Sequence, residues 1–137
     1  MALKTVLVTK PGFRAGGFSR GLLRIFLALD GVVRRQLVPG VPRQVTITAA
    51  SNGHHSPTSA HYKPRYEGVD TRTHDFTNDL AKREFIQMVL QALNDGSVTQ
   101  RGPDKFFTRN YFAWLENLGK SSEHIHWQVR KGRTITV

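Results

Sequence analysis

No cysteine occurs among the 137 residues. That excludes a disulfide, a thiolate nucleophile and any cysteine-ligated zinc finger or iron–sulfur cluster, so a metal would have to be held by imidazole and carboxylate. Acidic residues are scarce as well: Asp and Glu number 10 against 20 Lys and Arg, for a net charge of +10. A long apolar run is also missing. The best, "GLLRIFLALDGVV" from Gly21 to Val33, is broken by Arg24 and Asp30 and falls short of the roughly 20 residues of a membrane span. The opening "MALKTVLVTK" lacks the apolar length and small-residue cleavage site of a secretory signal. Export is therefore expected to need outside help. "GKSS" has no upstream glycine at the spacing of a phosphate-binding loop, and no serine is matched by motif with a base.

What is present suits one folded domain: 39% hydrophobic residues, eight Phe, three Tyr and two Trp, at a length that can bury a core. The boundaries expected are an amino-terminal arm, or strand and loop, over 1–18 and a single domain over 19–137. The basic residues are scattered along the chain, which reads as a solvated cationic surface or as a surface for a polyanionic partner. Nucleic acid is possible on charge alone but not favoured, because Gly-rich basic loops such as "PGFRAGGFSRG" are common.

Periodicity places a helix from Ser19, an N-cap, through "RGLLRIFLALDGVVRRQL", where Leu22, Leu23, Phe26, Leu27 and Leu29 fall near helical spacing. "VPGVPR" ends it. "QVTITAA" (44–50) and "EGVDTRT" (67–73) alternate as strands do. "TNDLAKREFIQMVLQALNDG" carries a cap at Thr77 or Asn78, Asp79 in its first turn, apolar Phe85, Met88, Val89, Ala92 and Leu93, and Gly96 as a stop. "GSVTQRGPDK" reads as a loop. "NYFAWLENLG" and "HIHWQVR" read as a hairpin, although the first also suits a helix. The fold class expected is α+β, a small antiparallel sheet with two main helices.

Five of the six histidines lie in "HHSPTSAHYKPRYEGVD" (54–70) and "EHIHW" (123–127). Alternation puts His124 and His126 on one face of a strand. A catalytic zinc takes three protein ligands, leaves one position open and needs a carboxylate nearby as base. His61, Asp70 and His126 supply the ligand set, and Glu123, three residues before His126, supplies the base, with Glu116 next in line. His124 suits hydrogen bonding to a developing oxyanion. Arg72 would bind a substrate carboxylate or form a plain salt bridge. His54 and His55 would line the cleft or cap their loop, and His74 reads as a surface residue.

"SAHYKPRYEGVD" resembles the first signature of the zinc peptidases that include D-alanyl-D-alanine carboxypeptidases and dipeptidases, phage L-alanyl-D-glutamate endolysins and the metal-binding domain of hedgehog proteins. That signature has Ser-x-His and then a metal-binding Asp that opens a strand. "EHIHW" is similar to the second signature, with an acidic base three positions before the last metal-binding His. The likeness is strongest to small phage and prophage members and covers roughly 19–130. One departure is the spacing: the family's Asp usually follows the His by seven positions, and Asp70 follows His61 by nine. The surplus fits a bulge in "KPRY"; otherwise Glu67 or Asp75 replaces Asp70.

The resemblance implies a hedgehog- or DD-peptidase-like zinc-site fold and a zinc peptidase cutting D-amino-acid-containing stem peptides of peptidoglycan. His54 and the Ser59 of the signature would contact substrate. The site of action would be the cell wall or a phage particle. The competing reading is a virion or tail component that keeps the fold without catalysis and meets other phage proteins through its basic amino-terminal arm.

Overall fold

The computed structural model describes residues 6–9, 20–49 and 68–130. In chain order the elements are β1 (Leu7–Thr9), α1 (Arg20–Arg34), β2 (Val45–Ala49), β3 (Gly68–Arg72), α2 (Asp79–Ala92), β4 (Thr99–Arg101), β5 (Lys105–Phe107), β6 (Tyr111–Glu116) and β7 (His124–Val129). The class is α+β. The sheet is larger than expected and is not purely antiparallel: it has seven strands in the order β1-β2-β3-β7-β6-β5-β4, and β1 runs parallel to β2. The difference arises at its two ends. Leu7–Thr9 in the opening segment adds one edge, and "GSVTQRGPDK", expected as a loop, supplies β4 and the start of β5 in a hairpin at the other.

Alternation in the strands decides which face meets the helices. Val45 and Ile47, Val69 and Thr71, Phe106, Tyr111, Ala113 and Leu115, and Ile125, Trp127 and Val129 are all buried. They also line up across the register: Val69 and Ala113 both pair with Trp127, and Thr71 and Leu115 with Ile125. Against this face α1 lays Leu22, Ile25, Leu29, Val32 and Val33, and α2 lays Phe85, Ile86, Val89 and Leu90. Leu23 and Leu27, read as part of the periodic set, stay exposed at 49% and 73%. Trp127 is the pivot. Its ring meets Phe85 edge-on at 5.8 Å, Phe85 meets Phe76 at 5.3 Å, and its Nε1 donates to Thr71 Oγ1 at 2.9 Å, so a large ring is buried with its one polar atom satisfied.

α2 begins where the sequence says it should. Asn78 has extended backbone, and its side chain accepts from the Ala81 amide at 2.8 Å, the bond of an N-cap. Among the described residues no helix is long and apolar enough to cross a membrane.

Candidate functional site

The sheet face turned away from the helices carries the other half of each alternation, and the site is built there. Register places Asp70 beside His126, Arg72 beside His124, and His124 beside Glu116. Three adjacent strands, β3, β7 and β6, therefore bring two imidazoles and two carboxylates together. β2 is bulged at this point: Ile47 pairs with Thr71 and Ala49 with Asp70, which leaves Thr48 as the extra residue directly opposite the site.

His126 is held from both sides. Its Nδ1 lies 2.8 Å from Asp70 Oδ1, and its Nε2 lies 2.7 Å from Gln128 Oε1. Gln128 shares the face by the same alternation that places His126 there. Without an ion, Nδ1–H donates to the Asp70 carboxylate; with zinc bound, the ring would keep its proton on Nε2, donated to Gln128, and Nδ1 and the Asp70 oxygen would form the donor pair the ion takes. An outer hydrogen bond of this kind normally fixes the tautomer of a metal-binding histidine. The residues in view thus fit the metal, with two of the three expected ligands in contact.

His124 points its Nδ1 at the Ser122 carbonyl, 2.8 Å away, and its Nε2 lies 3.8 Å from Glu116 Oε1 and 3.9 Å from Asp70 Oδ1. The Glu116 carboxylate first, against the cost of burial, and then the Ser122 carbonyl and the charge of Asp70, raise this histidine to about 9. It is therefore a cation at neutral pH, flanked by two carboxylates.

Glu123, expected as the base, is not on this face. Odd-numbered positions of β7 point to the helices, and Glu123 follows them: it is buried, bound by Lys82 Nζ at 2.8 Å, by the Gly119 amide at 3.0 Å and by the Thr73 hydroxyl. Burial pushes its carboxyl up, but the Gly119, Lys82 and Thr73 donors outweigh it and hold the group below its ordinary value. Its role in this geometry is to fasten the β6–β7 turn to α2 and β3, just ahead of His124. The acidic group that does face the histidines from this hairpin is Glu116.

The remaining expectations divide. Arg72 is exposed at the end of β3, on the same face as Asp70. Asp75, the alternative carboxylate, is exposed in the turn after β3, and His74 is exposed beside it. His54, His55, Ser59, His61 and Glu67 lie outside the described residues. Among the described residues no group of three or more His, Asp or Glu converges to hold an ion. Gln128 belongs to no motif, and its two-residue spacing from His126 is the sequence signal that places it on this face. Comparison with protein-family models, with curated proteins and with solved structures gives no match.

Proposed function

We propose that this chain is a zinc-dependent peptidase acting on short peptides that contain D-amino acids, such as the stem peptides of peptidoglycan. The observation that carries the reading is the Asp70–His126 contact at 2.8 Å on the open face, with Gln128 on the ring's other nitrogen. His61 would complete the ligand set of His61, Asp70 and His126. When bound there, zinc supplies Lewis-acid polarisation of the scissile carbonyl and of the attacking water.

The side chains supply the rest. Glu116 accepts a proton from the water as it adds to the carbonyl carbon and passes it to the nitrogen as the C–N bond breaks, so that an amine and a carboxylic acid leave. His124 donates an N–H to the oxygen on which negative charge develops. Arg72, at the rim, binds a carboxylate of the peptide, and His54 and Ser59, in the sequence between β2 and β3, would contact substrate. A net charge of +10 favours approach to an anionic wall.

The test is digestion of purified peptidoglycan by the zinc-loaded chain, by the chelated chain and by the chelated chain given zinc again, with new amino groups counted and fragments identified by mass. Release that stops on chelation and returns with zinc is expected. Release that survives complete zinc removal would overturn the reading. Zinc-loaded, folded protein that releases nothing would move it to a phage-particle component of the same architecture.

A further inference from the structure

A second feature lies at the other end of the same strands. The β5–β6 turn, the end of β7 and edge strand β4 enclose a pocket of about 350 Å³ lined by Arg101, Arg109, Arg130, Phe107, Thr108 and Asp95, with Gly96, Ser97 and Thr99 at its margin. The guanidinium groups of Arg101 and Arg130 lie against its Phe107 wall, and among the described residues neither forms an ion pair with a carboxylate; Arg109 also lines the pocket, within the field of Asp95. Asp95, in the same wall, accepts from Thr108 Oγ1 at 2.7 Å, from the Asn110 amide at 2.6 Å and from Asn110 Nδ2 at 2.8 Å, and its charge acts on Arg109.

Arg101 and Arg130 are held by contacts other than a carboxylate. Arg101 sits 4.8 Å and Arg130 5.4 Å from the centre of the Phe107 ring, and Arg130 also donates to the carbonyls of Thr108 at 3.0 Å and Arg109 at 3.3 Å. Phe107 is in turn stacked on Phe112 at 4.8 Å. Cation–π contact and carbonyl bonds fix a guanidinium but leave its charge uncompensated. Because guanidinium groups and Phe112 occupy the neighbourhood of the ring, Phe107 serves to order the arginines and offers no platform for a base or sugar.

We propose that this pocket is a binding site for an oxyanion, the phosphate or carboxylate group of a larger ligand, gripped by Arg101, Arg109 and Arg130. The ligand's direction follows from the strand. Arg130 lies four residues beyond His126 on the same alternation, about 13 Å along β7, so a ligand anchored here extends over Phe112 toward the histidines. The pocket's binding chemistry stands whether or not that face hydrolyses anything.

The experiment titrates the folded, full chain with inorganic phosphate and, separately, with glutarate at matched ionic strength, following the arginine Nε–Hε signals by NMR. Saturable binding by one of them is expected, and which one binds identifies the group the ligand carries. Arg101→Gln removes an edge-strand side chain whose only described contact is Phe107, so the fold is kept, and it should weaken binding about tenfold, as loss of one charge-assisted hydrogen bond does. Arg109→Gln should do the same. Arg43→Gln, an exposed cation before β2, should change nothing. Absence of saturable binding by either anion, or equal weakening by Arg43→Gln, overturns the proposal.

Discussion

The Glu123 carboxylate meets the Lys82 ammonium at 2.8 Å on the helix side of the sheet, while His124, its immediate neighbour in sequence, faces the opposite way. One peptide bond thus joins a structural ion pair to the candidate site. Lys82 has a second partner in Asp79 at 3.0 Å. Removing one member of a buried pair leaves the other uncompensated at a cost of about 3–5 kcal/mol. Glu123→Ala is therefore expected to lower unfolding stability by about 3 kcal/mol, the low end because Asp79 remains. Glu123→Met with Lys82→Met should recover most of it, as read from urea midpoints.

The same carboxyl makes stability depend on acid. Its folded value is held below the ordinary 4.5, and that of Asp95 below 3.8, because donors outweigh burial at both sites. For a depressed carboxyl the stabilisation is complete above the unfolded value and is lost as pH falls through the folded one. The share of the urea midpoint due to Glu123 and Asp95 should be flat from neutrality down to about pH 5 and fall below the ordinary carboxylate value, whereas the share due to His124 is complete below its ordinary 6.5 and is lost as pH rises toward about 9. In the Met/Met variant part of that fall should vanish, leaving the share due to Asp95. An identical fall in both proteins would remove Glu123 as a cause.

Much of this architecture was legible because its signals are local. The Asn78 cap with Asp79 behind it identifies α2, and the alternation in "HIHWQV" identifies β7, without any tertiary knowledge, whereas "YFAWLE" also suits a helix until its pairing with β7 is seen. The β4–β5 hairpin was not legible, since three-residue strands with all of Thr99–Arg101 exposed carry no apolar period. Glu123 shows a different failure. A spacing of three before His126 suggested proximity, whereas strand parity, which correctly paired His124 with His126, puts an odd-numbered residue on the other face. Choosing Glu116 needs the β6–β7 register, and no single strand contains that.

That register yields a test of the base. Glu116→Gln keeps the size and place of the side chain beside His124 while removing the proton acceptor. Peptide hydrolysis should drop about a hundredfold or more, in line with general-base contributions, with zinc content unchanged. Glu123→Gln, assayed where it remains folded, should keep turnover within a few-fold. The reverse pattern would return the base to Glu123 and require the β6–β7 turn to rearrange when substrate binds.

Two glycines should respond oppositely to alanine. Gly40 has φ +86°, and a Cβ there would lie 2.9 Å from Ala81 Cβ and 3.2 Å from Thr77 Cβ. Its carbonyl accepts from the Thr77 amide at 2.9 Å, tying the turn after α1 to the start of α2. Gly40→Ala should cost about 1–3 kcal/mol, the range for strained backbone. Gly31 lies within α1, where a Cβ meets nothing within 4 Å, so Gly31→Ala should gain about 0.5–1 kcal/mol. Thermal midpoints moving in the same direction would contradict the assignment of Gly40 as a close-approach position.

Gln128 separates a metal-binding histidine from one that is merely hydrogen bonded. Its Oε1 lies 2.7 Å from His126 Nε2 while Asp70 takes Nδ1. If His126 ligates zinc through Nδ1, Gln128 fixes the tautomer that leaves that nitrogen bare, and loss of such an outer partner typically weakens metal binding about 10–100-fold. Gln128→Ala should therefore still bind one zinc per chain at saturation, with affinity reduced by that factor, while His126→Ala and Asp70→Ala lose stoichiometric binding outright. Gln128→Glu keeps the acceptor and should restore affinity. Zinc titration against a competing chelator reads all four variants. If Gln128→Ala binds as tightly as the parent while His126→Ala does not bind at all, ligation runs through the other ring nitrogen, and the Asp70 contact is then an outer hydrogen bond.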